Sequence, residues 1–310
     1  MTPATVRALT EAGLPVAEIE RIVRTALAED LGPEGRDVTS LATIPAERVD
    51  TGDVVARADG VVAGLPVLAA VFELASGDRG AVEVTPRVRD GARVARGDVL
   101  ATVTGPTRVL LTAERTALNL ISRMSGVATH TRAWVDAIAG TKARVLDTRK
   151  TTPGLRLLDK YAVRAGGGTN KRMGLYDVAM IKDNHKLAAG GITAAYRRVR
   201  EAFPEVPIQV EVTTVAEAVE AVEAGADFLL CDNMSPAQLR EVVAAVGDRA
   251  ELEATGGLTL ATAAEYAATG VDYLSVGALT HSSPIVDIAL DLRPAGDGRA
   301  APDPGSPLKG

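Results

Sequence analysis

The stretch IQVEVTTVAEAVEAVEAGADFLLCDN, residues 208–233, decides the fold. It opens with alternating apolar residues (Ile208, Val210, Val212), passes into an Ala/Val/Glu run with helical spacing, turns at Gly225, and closes on a second apolar run ending at Asp232. Strand, helix and strand in so short a span form a βαβ unit, whose two strands lie parallel. Working outward, the same alternation recurs. RVLDT (144–148), VAMIKDN (178–184), ELEATGG (251–257) and YLSVGA (273–278) read as strands. AAYRRVREAF (194–203), PAQLREVVAAVG (236–247) and TAAEYAATG (262–270) read as the helices between them. Repetition of this kind predicts a parallel sheet that curls toward a barrel. About six strands are legible rather than eight, so an incomplete or modified (β/α) barrel is expected over residues 129–281.

The first part of the chain has a different rhythm. Val16, Ile19, Ile22, Val23 and Leu27 keep helical spacing up to Asp30-Leu31-Gly32. Then VDTGDVVARADGVVAG (49–64) and AVEVTPRVRDGARVARGDVLATVTG (81–105) read as short β segments separated by Asp-Gly and Arg-Gly turns. The second of these has the look of a biotinyl or lipoyl carrier hairpin, but no lysine occurs before Lys142 to accept the cofactor. An apolar helical pattern returns from Glu114 to Ala139. The expected fold class is therefore α/β: an N-terminal α/β sandwich domain over residues 1–128, completed by 282–295, followed by the barrel. Residues 296–310, rich in Gly, Pro and Asp, are expected to be a disordered tail.

Composition limits the function. A chain that is 46% hydrophobic and 24% charged can bury a core, although only 3% is aromatic, so Ala, Val, Leu and Ile must fill it. One cysteine, Cys231, rules out an internal disulfide and suits a reducing compartment. The longest mostly apolar stretch, Val61 to Ala75, is broken by Gly64, Pro66 and Glu73 and falls short of the roughly 18 residues of a membrane span. The N-terminus lacks the order of a secretory signal, so the expected location is cytoplasmic, with no membrane partner. A net charge of −6 argues against nucleic acid as a partner. The charge is unevenly spread. Between Lys142 and Lys186 eleven Lys or Arg face four Asp, a local +7 that leaves −13 for the rest of the chain. A cationic island in an acidic protein points to a pocket for a small polyanion.

Several charged residues stand where strands of this kind end: Arg149 and Lys150 after RVLDT, Lys182 after VAMI, Glu211 within IQVEV, and Asp232 after FLLC. Barrel enzymes place their working groups there. Burying several such charges is costly unless they face a shared ligand. Cys231, on the opposite face of its strand from Asp232, reads as an inert buried thiol. His130 and His281 lack metal-ligand spacing and read as structural, while His185 stands close behind Lys182.

The runs DTRKTTPGLR (147–156), KYAVRAGGGTNKRMGL (160–175) and MIKDNH (180–185) resemble the quinolinate phosphoribosyltransferase family. So do EDLGPEGRDVTS (29–40) and ERTALNLISRMSGVATHT (114–131) upstream, and VEV, LLCDN, LEATGG and SVGALTHS downstream. The resemblance extends in order from about residue 20 to 292. It implies condensation of quinolinate with phosphoribosyl pyrophosphate under Mg²⁺, giving nicotinate mononucleotide, CO2 and pyrophosphate in NAD biosynthesis.

Carried over residue by residue, the resemblance implies that Arg115, Arg149, Lys171 and Arg172 bind the two carboxylates, with Thr148 a further substrate-binding residue. Guanidinium forks suit carboxylates. Lys150 and Lys182 would follow the pyrophosphate, and with Glu211 and Asp232 they form the expected catalytic set. The two acids would hold ribose hydroxyls and Mg²⁺, directly or through water, and would stabilise positive charge on the ribose. Thr255, Gly256 and Gly257, with Ser275, Val276, Gly277 and Ala278, would cradle the 5′-phosphate. The family also implies a homodimer in which Arg115 serves the neighbouring subunit's site. One residue departs from the pattern: Lys171 stands where the family's GGGxNHR run has histidine, which keeps the charge and removes the titration near neutral pH. Two alternatives remain at this point, a related phosphoribosyltransferase for another aromatic acid and a non-catalytic polyanion binder on the same barrel. A monocarboxylate would need fewer cations, and acids inside a pure anion pocket would weaken it.

Overall fold

The computed structural model describes residues 1–293; the expected tail at 296–310 lies outside them. In chain order the elements begin with helices α1 (Pro3–Glu11), α2 (Val16–Leu31) and α3 (Val38–Thr43), strands β1 (Val49–Ala56) and β2 (Gly60–Val61), and α4 (Leu65–Ser76). They continue with β3 (Glu83–Pro86), β4 (Arg93–Val94), β5 (Val99–Pro106), the long α5 (Thr107–Ala137), β6 (Arg144–Leu146) and α6 (Arg156–Ala165). Next come β7 (Ala179–Ile181), α7 (Asp183–Ala189), α8 (Ile192–Ala202), β8 (Ile208–Val212), α9 (Val215–Glu223) and β9 (Phe228–Asp232). The last are α10 (Pro236–Val246), β10 (Glu251–Thr255), α11 (Leu260–Ala267), β11 (Tyr273–Ser275), α12 (Ala278–His281) and β12 (Ile288–Leu292).

The chain divides into two compact units. The first contains Met1–His130, Thr152–Gly167 and the described residues from Ser283 on. Its main sheet has the order β12-β1-β5-β3 and is antiparallel throughout. Val54, Ala56, Leu100 and Val103 are fully buried in it, and each such Val or Leu contributes roughly 1.5–3 kcal/mol. The stretch Val61–Ala75 forms most of α4, the core helix of this unit, with Leu68, Ala70 and Val71 fully buried. Its start is fixed by Asp90, whose carboxylate accepts from the backbone N–H groups of Gly64 (2.8 Å) and Leu65 (3.1 Å) and from the Tyr161 hydroxyl (2.5 Å). Gly64 is in the left-handed region (φ 107°), and a Cβ there would meet the Met124 sulfur at 2.8 Å, so a larger residue cannot make this entry turn.

The second unit contains Thr131–Thr151 and Gly168–Ser282. Its six strands are all parallel, in the order β6-β11-β10-β9-β8-β7, with helices α8 to α11 in the crossovers. The six apolar runs legible in the sequence are these six strands, and β6 and β7 stand at the two ends of the order. Every residue of β8 is buried, as expected for a strand covered on both faces.

One boundary differs from the sequence reading. Residues 152–167, expected inside the barrel span 129–281, group with the first unit. The reason lies in α6, whose polar side chains bond there: Asp159 accepts from Arg123 at 3.1 and 3.0 Å, Tyr161 donates to Asp90, and Arg164 donates to the Ala12 carbonyl at 2.8 Å. The cationic window Lys142–Lys186 therefore mixes two structures. Arg156, Lys160 and Arg164 belong to the first unit, and the rest belong to the second.

Candidate active site

Parallel strands deliver their C-terminal ends to one edge of the sheet, and there the second unit has a cavity of about 490 Å³. Thr148, Arg149 and Lys150 reach it from the turn after β6, Lys171 and Arg172 from the following loop, and Lys182 from the end of β7. Glu211 comes from β8, Asp232 from the last position of β9, and Thr255 to Gly257 from β10 and its turn. Ser275 to Ala278 close the ring after β11. Every site residue expected from the sequence is in this lining except Arg115, which is exposed on α5 in the first unit.

The backbone around the cations is held by buried acids. Asp147, with no exposure, accepts from the Lys171 N–H at 2.8 Å and from the Asn170 amide at 2.6 Å, which ties the glycine-rich loop to the end of β6. Asp177 accepts from the backbone N–H groups of Met173 (2.6 Å) and Gly174 (3.1 Å), which shapes the loop beyond Arg172. Arg172 itself donates to the Val178 carbonyl at 3.1 Å. Lys186 donates to the Glu211 carbonyl (3.1 Å), to Glu217 (3.1 Å) and to Asp183 (2.7 Å), fixing β8 beneath Glu211. His185 accepts from the Lys182 N–H at 3.0 Å, so it caps α7 just behind Lys182.

Glycines provide room where the sequence reading expected a phosphate cradle. A Cβ on Gly256 (φ 90°) would lie 2.3 Å from the Asn233 side-chain oxygen, and one on Gly277 would lie 2.9 Å from Cδ of Lys150. Asn233 is itself in the left-handed region (φ 53°) and donates to Asp232 at 2.9 Å.

Electrostatically the pocket is a cationic ring with acids set into it: Arg149, Lys150, Lys171, Arg172 and Lys182 against Glu211, Asp232 and Glu253. Lys182 pairs with Glu211, and Lys171 pairs with Glu253 at 2.5 Å. Burial lowers the pKa of Lys171 despite Glu253, and burial together with Arg149 lowers that of Arg172. The lining carries five cations against three acids, a positive surplus that suits an anionic ligand. Among the described residues no three His, Cys, Asp or Glu side chains gather as a metal cage. Glu211 and Asp232 offer two hard oxygen donors on neighbouring strands, a set that fits an ion whose other ligands are phosphate and water, as Mg²⁺ prefers.

Sequence reading missed Glu253, which is fully buried, and Asp147, and it assigned His281 a structural role although the ring lines the pocket beside Gly277. Cys231 is buried, with its thiol pushed up to about 12 by burial and by Glu253, as an inert side chain should be. His130 bonds Ser283 at 2.9 Å within the first unit, and burial lowers its pKa.

The sequence profile described as "Quinolinate phosphoribosyl transferase, C-terminal domain" matches residues 127–291, and its N-terminal counterpart matches residues 37–125. The chain belongs to the quinolinate phosphoribosyltransferase family. Among curated relatives, "Nicotinate-nucleotide pyrophosphorylase [carboxylating]" of Mycobacterium leprae is 52% identical over 273 residues, covering 87% of this chain and 95% of that protein. A "Probable nicotinate-nucleotide pyrophosphorylase [carboxylating]" of Bacillus subtilis is 40% identical, with 89% and 93% covered. The crystal structure of NadC from Streptococcus pyogenes superposes with a TM-score of 0.86 at 36% identity, covering 90% of this chain and 98% of that one. Sheet domain and parallel-sheet domain thus recur as the family's two parts.

Proposed function

We propose that this member of the quinolinate phosphoribosyltransferase family joins quinolinate to phosphoribosyl pyrophosphate with decarboxylation, as the names of its relatives describe for them. The products are nicotinate mononucleotide, CO2 and pyrophosphate. The observation that carries the reading is the ring of five cations with the acids Glu211 and Asp232 lining the same cavity at the ends of successive parallel strands. A dicarboxylate and a pyrophosphate bring enough negative charge to satisfy it.

In this reading Arg149, Arg172 and Lys171 take the quinolinate carboxylates, while Thr148 and the Lys150 backbone shape the turn: the Lys150 N–H donates to the Thr148 hydroxyl at 3.0 Å and its carbonyl accepts from Thr280 at 2.8 Å. The quinolinate nitrogen attacks the anomeric carbon of the ribose as its bond to pyrophosphate breaks and the electron pair leaves with that group. Lys150 and Lys182 hold the departing charge, and preorganised cations of this kind typically supply about 10²–10³ in rate each. Glu211 and Asp232 hold the ribose hydroxyls and stabilise the positive charge that builds on the sugar. Thr255 to Gly257 and Ser275 to Ala278 receive the 5′-phosphate through backbone N–H groups and hydroxyls. The ring nitrogen, now cationic, draws the electrons of the breaking carbon–carboxylate bond into the ring, and the carbon left behind takes up a proton. Glu211 and Asp232 would hold the Mg²⁺ that comes with phosphoribosyl pyrophosphate, which when bound would further neutralise the pyrophosphate.

Arg115 belongs to the same reading. It is exposed on α5, outside the cavity of its own second unit, and this supports the reading that it serves a second copy of the chain in a homodimer or dimer-based oligomer with shared sites. The free, buried cysteine supports a reducing, cytoplasmic location; no helix among the described residues is long and apolar enough to cross a membrane. The test is incubation with quinolinate, phosphoribosyl pyrophosphate and Mg²⁺. Equal amounts of nicotinate mononucleotide and CO2 are expected, and absence of both from folded protein would overturn the reading.

A further inference from the structure

The most completely buried acid of the pocket has no part in the chemistry above. Glu253 lies in the middle of β10, a strand whose Leu252 and Ala254 face the other way and whose sheet neighbours are β9 and β11. Its exposure is 0%, and an isolated carboxylate there would be costly. Three donors offset that cost: Lys171 Nζ at 2.5 Å and the Ser275 hydroxyl on Oε1, and the Gln209 amide at 2.7 Å on Oε2. Gln209 is fully buried on β8 and Ser275 nearly so on β11, so two strands hold the carboxylate, and Lys171 and Glu253 line the cavity together.

We infer that Glu253 is a positioning residue for substrate recognition, anchoring the Lys171 ammonium at the place where a carboxylate of the aromatic acid docks. The inference rests on the reading of this pocket as a quinolinate site. A lysine side chain has four rotatable bonds and strong hydration, and in an open pocket it would wander toward water. Here the backbone of Lys171 is fixed by Asp147 and its tip by Glu253, so both ends of the flexible stem are set before substrate arrives. Glu253 also opposes the groups that would strip the proton from Lys171. Arg172 from the same loop, Lys182 from the end of β7 and burial itself all disfavour the ammonium, and Glu253 favours it. The pair thereby replaces the histidine of the resembling family with a cation whose charge is held by a carboxylate across neutral pH.

Four proteins test this: wild type, Glu253→Gln, Lys171→Gln and the double variant. Glu253→Gln should raise the KM for quinolinate roughly tenfold or more, with kcat and the KM for phosphoribosyl pyrophosphate within about twofold of wild type. Its alkaline limb in kcat/KM for quinolinate should move to lower pH, because Lys171 loses the partner that holds its proton. Glu253→Asp, which keeps the charge on a shorter stem, should restore the alkaline limb, and it substitutes for the glutamine variant should that fail to fold. Adding Glu253→Gln to Lys171→Gln should raise the quinolinate KM no further and should raise Tm, since an unpaired buried carboxylate disappears. An equal rise in KM in both backgrounds, or a lowered Tm with an unmoved KM and pH limb, would show Glu253 to be structural only. A quinolinate KM unchanged in Lys171→Gln would overturn the inference while leaving the reaction standing; a wild type that makes no nicotinate mononucleotide would overturn the reaction itself.

Discussion

A carboxylate buried against a basic side chain occurs in each unit of the molecule, and the two most buried pairs, Asp159–Arg123 and Glu253–Lys171, behave differently. In the first, Asp159 is 1% exposed and accepts from Arg123 through both oxygens and from the Thr152 N–H at 3.0 Å. These bonds join α6 to α5 and to the turn before α6, and neither Arg123 nor Thr152 belongs to the lining of the second unit's cavity. In the second, Glu253 is equally buried and equally satisfied, yet its basic partner faces 490 Å³ of open space among four other cations. Burial and pairing alone do not separate structure from function. The surroundings of the pair do, because a cation that is already spent on its carboxylate can still bind when further cations around it leave a positive surplus.

The comparison can be broken most decisively at Lys182. Lys182→Ala should lower kcat by about 10²–10³ with little change in Tm, since its ammonium is half-exposed and the proposed function has it meet leaving-group charge. A loss of less than tenfold would remove it from the catalytic set.

Arg115 extends the contrast to the surface of the first unit. Arg115→Ala and Lys182→Ala dimers should each be nearly dead. Unfolded together and refolded in equal amounts, they should recover about a quarter of wild-type activity, because half of the dimers then hold one intact site. Subunit exchange without recovery would confine Arg115 to its own chain.

At Asp159 the expected effect is smaller and of another kind. Asp159→Asn should cost about 1–3 kcal/mol of stability, read as a lower Tm, while kcat/KM of the folded protein stays within about twofold. A large kcat/KM loss at unchanged Tm would move this pair into the active site and erase the distinction.

The mildest change is Lys171→His. The imidazole titrates near 6.5, so quinolinate binding should persist below about pH 6.5 and weaken as pH rises through that value, whereas wild type stays flat over this range. A pH profile identical to wild type would mean that the charge at this position is not used.

The sequence made the second unit legible because its physics is local: short apolar runs ending in polar residues, each followed by an amphipathic helix, can hardly be read otherwise than as parallel strands, and their ends mark the site. Arg149, Lys150, Lys182, Glu211 and Asp232 were visible for that reason. Glu253 was not, since nothing local in ELEAT separates it from the exposed Glu251, and only the assembled sheet shows that Leu252 to Ala254 are buried. The placement of α6 was equally hidden. An amphipathic helix of ten residues has the same pattern wherever it docks, and only Asp159, Tyr161 and Arg164 finding partners in the first unit decide the matter. For the same reason the cationic window overstated the pocket: five of its eleven basic residues line the cavity.

The central claim is that the cations of this pocket are arranged for two carboxylates on one ring. It is tested most directly by kcat/KM for quinolinate against nicotinate, each with phosphoribosyl pyrophosphate and Mg²⁺ under the same conditions. Nicotinate leaves part of the cluster around Arg149, Lys171 and Arg172 unmet, at roughly 1–3 kcal/mol per unsatisfied group, so quinolinate should be favoured by at least about tenfold. Equal values for the two acids would contradict the account.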